Sequence, residues 1–294
     1  MKRVTVTGGT GLIGRRLVDA LRDRGDDVTV LSRGAPGTVR WADPVSEPPP
    51  PEALAGRDGV VHLLGENVAQ RWTAAARGRI RESRELGTRH MVEGLSRLAD
   101  DERPPAIVSM SAIGYYGARG DEAVDESEPA GDDFLAEVVH AWEAEARKAE
   151  ALGVRVAISR TGVVLAAGGG ALEKMLPPFK LGVGGPVAGG RQYVPWVHLD
   201  DVVGALLFLL DQGEGTYNVT APEPVTNREL SKALGRALGR PAVAPVPALA
   251  VRALYGEMAW IVTTGVRAVP KRLLEDGYSF ARPDLDDALR AAVA

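Results

Sequence analysis

The 294-residue sequence contains no cysteine. That excludes disulfides, thiolate nucleophiles and cysteine-ligated metals, and it fits a reducing compartment. Histidine is nearly as scarce: His62, His90, His140 and His198 are scattered, and no pair has zinc-ligand spacing. Positive charge comes mostly from arginine, since only six of the 35 basic residues are lysines. A net charge of -4 and a pI near 5.7 argue against non-specific nucleic-acid binding, which needs a basic surface. Long apolar runs are missing too. The longest, Val202 to Leu210, falls far short of the roughly 20 residues of a membrane helix. Met1 leads almost directly into a strand-like stretch and a glycine turn, so a secretory signal is not expected and a soluble cytoplasmic protein is the default. What remains, with 45% hydrophobic and 25% charged residues, has the composition of an ordinary globular protein. Its length suits one large α/β domain or two smaller units.

Periodicity along the chain alternates between strand and helix. Arg3 to Thr7 (RVTVT) reads as a buried strand, followed at once by glycines. Ile13, Leu17, Ala20 and Leu21 then mark one face of a helix ending near Gly25, and Val28 to Leu31 is the next strand. This is a βαβ unit, which almost always crosses over right-handed in a parallel sheet. Further strands are expected at Val39 to Trp41, Gly59 to Leu64, Ala106 to Met110, Val154 to Ser159 and Gly215 to Val219. Helices are expected at Ala74 to Leu98, Asp133 to Leu152 and Val202 to Leu210. Pro48 to Pro51 favours an extended, solvated conformation in a surface loop. Short helices dominate after Ala221, one of them opened by a capping box at Thr226 and Glu229 and closed by Gly239. The pattern predicts an α/β fold: a doubly wound, Rossmann-type parallel sheet with a smaller, mainly helical C-terminal substrate lobe. Residues 1–165 and about 196–220 would form the nucleotide-binding part, and about 166–195 with 221–294 the lobe.

One segment carries the strongest chemistry. Thr7-Gly8-Gly9-Thr10-Gly11-Leu12-Ile13-Gly14 places glycines at 8, 11 and 14 between a strand and a helix. A turn without Cβ atoms lets peptide N–H groups and the helix N-terminus approach a pyrophosphate. The end of the next strand selects the cofactor. NAD sites usually carry an acidic residue there for the ribose 2′-hydroxyl. This chain has Ser32-Arg33, a hydroxyl and a guanidinium suited to a 2′-phosphate, so NADP(H) is the expected cofactor.

These segments resemble the extended short-chain dehydrogenase/reductases of the NAD-dependent epimerase/dehydratase superfamily, and the resemblance runs essentially end to end. Val61 to Gly65 (VHLLG) is similar to the family's fourth-strand segment, whose backbone lies against the cofactor. Arg84 to Thr88 (RELGT) sits where the family usually has an asparagine before Gly-Thr. Ser109 to Gly117 (SMSAIGYYG) resembles the active-site serine segment, Arg160 to Val164 follows the sixth strand, and Trp196 to Asp201 resembles a late structural motif. Closer still is an atypical, epimerase-like branch of unknown substrate with a helical C-terminal extension. Its marks here include Arg71-Trp72, Ile80 to Arg84, Gly114 to Gly117, Trp142-Glu143, Pro178 to Gly182 and Pro195 to His198. The resemblance implies cofactor contacts from Gly8, Gly11, Leu12, Ile13, Gly14, Ser32, Arg33, Leu63, Leu64, Gly65, Arg84 and Val164.

The sequence departs from mainstream members in two places. Their Tyr-x-x-x-Lys pair is absent, with Leu135 or Phe134 at the tyrosine and Val139 or Val138 at the lysine. Val194 stands where nucleotide-sugar enzymes tend to carry an arginine, which weakens a nucleotide-sugar substrate. Candidates left for proton chemistry are Ser111, Tyr116 and Tyr115, with Tyr116 the first choice. Ser111 reads equally well as a strand-end cap, and one tyrosine as pocket wall. A phenol without a neighbouring cation is a poor base at pH 7 but still donates a proton. That favours reduction of a small carbonyl compound by NADPH over alcohol oxidation. The alternatives are a non-catalytic NADP(H)-binding sensor or partner-binding protein, and a nucleotide-sugar epimerase. A small-molecule substrate is expected, with no metal, nucleic acid or membrane partner, and self-association stays open. His198, Asp200 and Asp201 read as a structural turn, because no serine elbow accompanies them. The lobe, through Leu176 to Gly185 and Tyr255 to Trp260, is expected to cover the site.

Overall fold

The computed structural model describes all 294 residues. Seven parallel strands form the central sheet, in the order Gly215–Val219, Arg155–Thr161, Ala106–Ala112, Gly59–His62, Arg3–Thr7, Asp27–Ser32 and Val39–Arg40. Their alternating apolar residues feed two separate cores. On one face Val4, Val6, Val61 and Val108 meet Leu17 and Leu21 of helix Leu12–Asp23, and Leu206 and Leu209 of helix Leu199–Gln212. On the other, Val60, Ile107, Val156 and Ile158 meet Met91 and Leu95 of helix Ala74–Ser96 and Ala146 of helix Phe134–Arg147. Helices on both faces of a parallel sheet are what the βαβ reading predicts.

Pairing of Ser111 with Arg160 and Ala112 with Thr161 carries two central strands two residues beyond their sequence expectation. Helix starts are set locally: Thr73 accepts from Ala76 N at 3.2 Å, Asp133 from Ala136 N at 2.9 Å, and the Thr226–Glu229 capping box is formed. Gly239 closes that helix in the left-handed region at φ +61. The proline run is not the solvated strap its composition suggests. Pro49 is buried against Gly94, where any side chain would collide with its ring.

The sheet reverses direction of growth between Arg3–Thr7 and Gly59–His62. In open α/β sheets a ligand crevice forms beyond the carboxyl ends of the strands at such a switch point. Beside it lies a third core, built by Leu172 and Phe179 of helix Gly170–Lys180, Leu230 and Leu234 of helix Asn227–Leu238, and Leu289 of helix Leu285–Val293. Not all of the C-terminal region stays in this lobe. Leu273 joins the core that holds Leu17 and Leu206, and Asp201 accepts hydrogen bonds from Ala281 N at 2.6 Å and Arg282 N at 3.0 Å. No helix is long and apolar enough to cross a membrane.

Candidate functional site

The glycine turn sits at the switch point. Gly8 adopts φ +66, and a Cβ there would lie 2.9 Å from the Leu63 carbonyl oxygen. At Gly14 a Cβ would strike the Gly8 carbonyl, so only glycine lets the helix pack this closely on the turn. Gly11 N donates to Gly8 O at 3.0 Å, and the helix begins at Leu12 with neither a side-chain cap nor an acidic residue in its first turn. Its first N–H groups are left for an outside acceptor. Gly169 and Gly170 pass over the Leu12 side chain and close this end of the crevice, beside Val164.

At the end of the second strand, Ser32 and Arg33 behave differently. The Ser32 hydroxyl accepts from Gly34 N at 3.1 Å and Ala35 N at 2.8 Å and lies 2.7 Å from Thr38 Oγ1. Thr38 in turn donates to Ala35 O, so the Ser32 proton goes to Thr38 and the residue shapes the loop. Arg33 is exposed and makes neither an ion pair nor a hydrogen bond within the chain. Its guanidinium is available.

Across the turn, Leu63, Leu64 and Gly65 follow the fourth strand. They are held from below by His62, which is fully buried between Thr7 Oγ1 at 3.0 Å and Thr88 Oγ1 at 3.1 Å. Burial brings the His62 pKa down to about 4, so the ring is neutral. Arg84 lies directly beneath Gly65. It donates from Nη1 to Glu66 O at 3.0 Å and to Ile80 O at 3.2 Å.

Ser111 and Tyr116 do come together, but in the interior. Glu143 and Arg160 form a two-pronged ion pair, 2.8 Å through Nε and 2.9 Å through Nη2. Ser111 donates to the same carboxylate at 2.7 Å. Arg160 Nη1 donates to the Tyr116 hydroxyl at 2.9 Å, which donates onward to Asn218 Oδ1 at 2.8 Å. Burial pushes the Tyr116 phenol up to about 12 against the pull of Arg160. With Tyr116 at 0% exposure and both hydroxyls committed, neither group opens onto the crevice as placed. Tyr115 differs. It is partly exposed, its hydroxyl has no partner in the chain, and its ring lies 3.3 Å from the Arg160 guanidinium carbon. The exposed His140 ring lies near-parallel to the Tyr115 ring, with centroids 6.3 Å apart.

The rim is closed by contacts of long sequence separation. Lys174 donates to Ala69 O, Arg77 pairs with Glu257 at 2.9 Å, and the Trp260 indole donates to Asp133 at 3.3 Å. Glu257 and Trp260 thereby reach the starts of helices Ala74–Ser96 and Phe134–Arg147. Leu181 to Gly185 instead turn toward Ala244, which donates to Gly184 O at 3.3 Å. The contact to Ala69 comes from Lys174, ahead of that segment in helix Gly170–Lys180. His198 caps helix Leu199–Gln212 by accepting from Asp200 N at 3.1 Å, a structural use. Sequence reasoning gave no role to Glu143, Asn218 or Lys174. Besides its place in the Trp142-Glu143 mark, a carboxylate beside the apolar stripe Val138, Val139, Trp142 and Ala146 is a signal that could have found Glu143, since a buried charge needs a partner.

The model of the NAD dependent epimerase/dehydratase family matches residues 4–220. The chain belongs to that family. Residues 246–292 match a second model, a domain of unknown function (DUF1731), over the C-terminal extension. The mouse epimerase family protein SDR39U1 is 40% identical, over 99% of this chain and 100% of its own. The crystal structure of human SDR39U1 with NADPH superposes with a TM-score of 0.90 at 36% identity, covering 99% of this chain and 98% of that one. A nucleoside-diphosphate sugar epimerase from Corynebacterium glutamicum superposes at 0.79 and 32% identity, over 99% of this chain and 58% of that one. The extended short-chain dehydrogenase/reductase fold read from the motifs is the fold of this protein.

Proposed function

We propose that the protein binds NADP(H) and reduces a small carbonyl compound. The observation that carries the cofactor reading is the unpaired Arg33 at the end of the second strand, where an NAD site usually has a carboxylate. The uncapped helix start at Leu12 suits the pyrophosphate, with Gly8, Gly11, Ile13 and Gly14 shaping the approach. Leu63, Leu64, Gly65 and Val164 would border the rest of the cofactor, with Arg84 under Gly65. Ser32 holds the Arg33 loop rather than the phosphate. The NADPH in the human relative's structure supports this choice.

When bound, NADPH supplies a hydride to a carbonyl carbon. The residue we assign to the carbonyl oxygen is Tyr115, which has a free hydroxyl beyond the carboxyl end of strand Ala106–Ala112. Tyr115 donates its proton to the oxygen as the alcohol forms. Arg160 fixes its ring from the face, and Glu143, Ser111, Tyr116 and Asn218 hold Arg160 in place. Leu135 or Phe134 and Val139 or Val138 stand at the helix positions of the missing pair, so no second proton relay is assigned there.

NADPH oxidation at 340 nm across a panel of aldehydes and ketones, with a substrate-free control, tests the reading. Turnover with at least one carbonyl and its loss in Tyr115→Phe are expected. Tight NADPH binding without any turnover would favour the second reading, a non-catalytic NADP(H)-binding protein. The committed hydroxyls of Ser111 and Tyr116 are the observation behind that alternative.

A further inference from the structure

Two loops of the C-terminal lobe carry aliphatic side chains into solvent. They follow helices Gly170–Lys180 and Asn227–Leu238, which pack on each other through Leu172, Phe179, Leu230 and Leu234. Each helix is followed by a glycine in the left-handed region, Gly182 at φ +74 and Gly239 at φ +61. The chains leaving these turns run side by side. Ala244 N donates to Gly184 O at 3.3 Å and Val246 N to Pro186 O at 2.9 Å, and a Cβ on Gly182 would lie 3.7 Å from Pro241. A Cβ on Gly184 would strike the Phe179 ring, so the first loop folds tightly back on its own helix. In the second loop, half-buried Ala242, Ala244 and Val246 alternate with exposed Pro241, Val243 and Pro245. Leu181 is left 79% exposed, Val183 57% and Val243 82%.

Cations stand around them. Beside Val243 lies an open groove lined by Lys232, Arg236, Arg240, Ala242 and two glycines. Arg236 is committed to Asp286 at 2.7 Å. The side chains of Lys232 and Arg240 make neither an ion pair nor a hydrogen bond within the chain, and the same holds for Lys180, next to Leu181. Three unpaired cations thus flank the exposed aliphatic residues of a chain whose net charge is -4.

The relief of this face decides what covers it. A protein segment seats its anchoring side chains in apolar pockets. Here the arrangement is reversed: the aliphatic side chains project, and the recess is cationic, with Ala242 and Val243 its only apolar lining. Projecting aliphatic groups are stabilised by entering an apolar medium, and clustered lysine and arginine side chains suit phosphate. An anionic bilayer surface offers both at once. We propose that this face of the lobe docks on an anionic membrane surface. Leu181, Val183 and Val243 dip into the interface, while Lys180, Lys232 and Arg240 meet lipid phosphates. The sequence does not announce such a contact, because the residues lie on loops far apart in the chain and form no apolar run. The contact is peripheral and does not depend on the cofactor or reductase readings.

Flotation of the full chain with two kinds of vesicle tests this, pure phosphatidylcholine and equal parts phosphatidylcholine and phosphatidylglycerol. Binding is expected to the anionic vesicles alone and should weaken as salt rises. Each cation near such a surface raises partitioning about fivefold, so Lys232→Glu with Arg240→Glu should lower it at least about 25-fold. Leu181→Ser with Val243→Ser should lower it about tenfold and leave its salt dependence unchanged. All four side chains are exposed, and an unchanged urea midpoint verifies that the variants are folded. No preference for the anionic vesicles, or a preference that survives the charge reversal, would overturn the proposal. A concentration-dependent dimer that is lost in Leu181→Ser with Val243→Ser would give the face to a second copy of the chain. Tighter binding of soluble polyglutamate than of the vesicles would give it to an acidic protein segment. Either result would contradict the membrane assignment.

Discussion

Glu143 and Arg160 meet end to end inside the protein, each almost fully buried, with both carboxylate oxygens bonded to one guanidinium edge. Around this pair are gathered Ser111, Tyr116 and Asn218, and Arg147 adds a longer contact to Glu143 at 3.3 Å. Strand, turn and helix are thereby tied at one point directly behind Tyr115.

Removing one member of such a pair strands the other charge without water. Glu143→Ala should therefore destabilise the fold by about 3–5 kcal/mol, whereas a paired apolar replacement of Glu143 and Arg160 should recover much of the loss. Urea unfolding of the single and double variants measures this. A loss below about 1 kcal/mol for Glu143→Ala would show that the pair is not a structural hub.

His62 gives a pH dependence of defined sign. Its pKa falls from the ordinary 6.5 to about 4 on burial, so the unfolded chain binds the proton more readily than the native state. Stability contributed by neutral His62 is fully present above pH 6.5 and is lost as the pH falls toward 4. At about 1.4 kcal/mol per tenfold change in proton affinity, the whole window is worth roughly 3 kcal/mol. Denaturant midpoints at pH 7, 6 and 5 should decline accordingly, and His62→Gln should flatten this part of the profile. A His62→Gln profile parallel to the parent would assign the slope to other groups.

The two adjacent tyrosines should separate cleanly. Tyr115→Phe is expected to lower kcat by about 10²–10⁴-fold, the usual cost of losing a placed general acid, with little change in NADPH affinity. Tyr116→Phe should instead weaken the fold by about 1–3 kcal/mol, because Asn218 and Arg160 lose a buried partner. Its folded fraction should turn over nearly normally. Steady-state kinetics with unfolding curves for both variants decide the matter, and full activity in Tyr115→Phe would remove that residue from the chemistry.

Local features of the site were legible in the sequence. Gly8, Gly11 and Gly14 act through backbone geometry fixed within eight residues, and Thr226 with Glu229 within four. The facing of side chains was not. Ser111 meets a carboxylate 32 residues away, and only the packing of helix Phe134–Arg147 determines which strand face is sealed. Tyr115 and Tyr116 lie on one 3-10 turn, where each residue rotates by about 120°, so one ring turns inward while its neighbour stays at the surface. Lys174 and Ala69 are 105 residues apart, a contact that no periodicity encodes. Arg84 was visible as a residue of the expected helix Ala74 to Leu98, but its hydrogen bonds to Glu66 O and Ile80 O required coordinates.

The central claim is that Arg33 makes this an NADP(H) site, and calorimetric titration with NADPH and NADH tests it most directly. The unaltered protein should bind NADPH more tightly. Arg33→Ala should erase most of that preference, on the order of 1.5–3 kcal/mol for bonds to a charged phosphate, while NADH affinity changes little. Equal affinities for NADPH and NADH in the unaltered protein would contradict the claim.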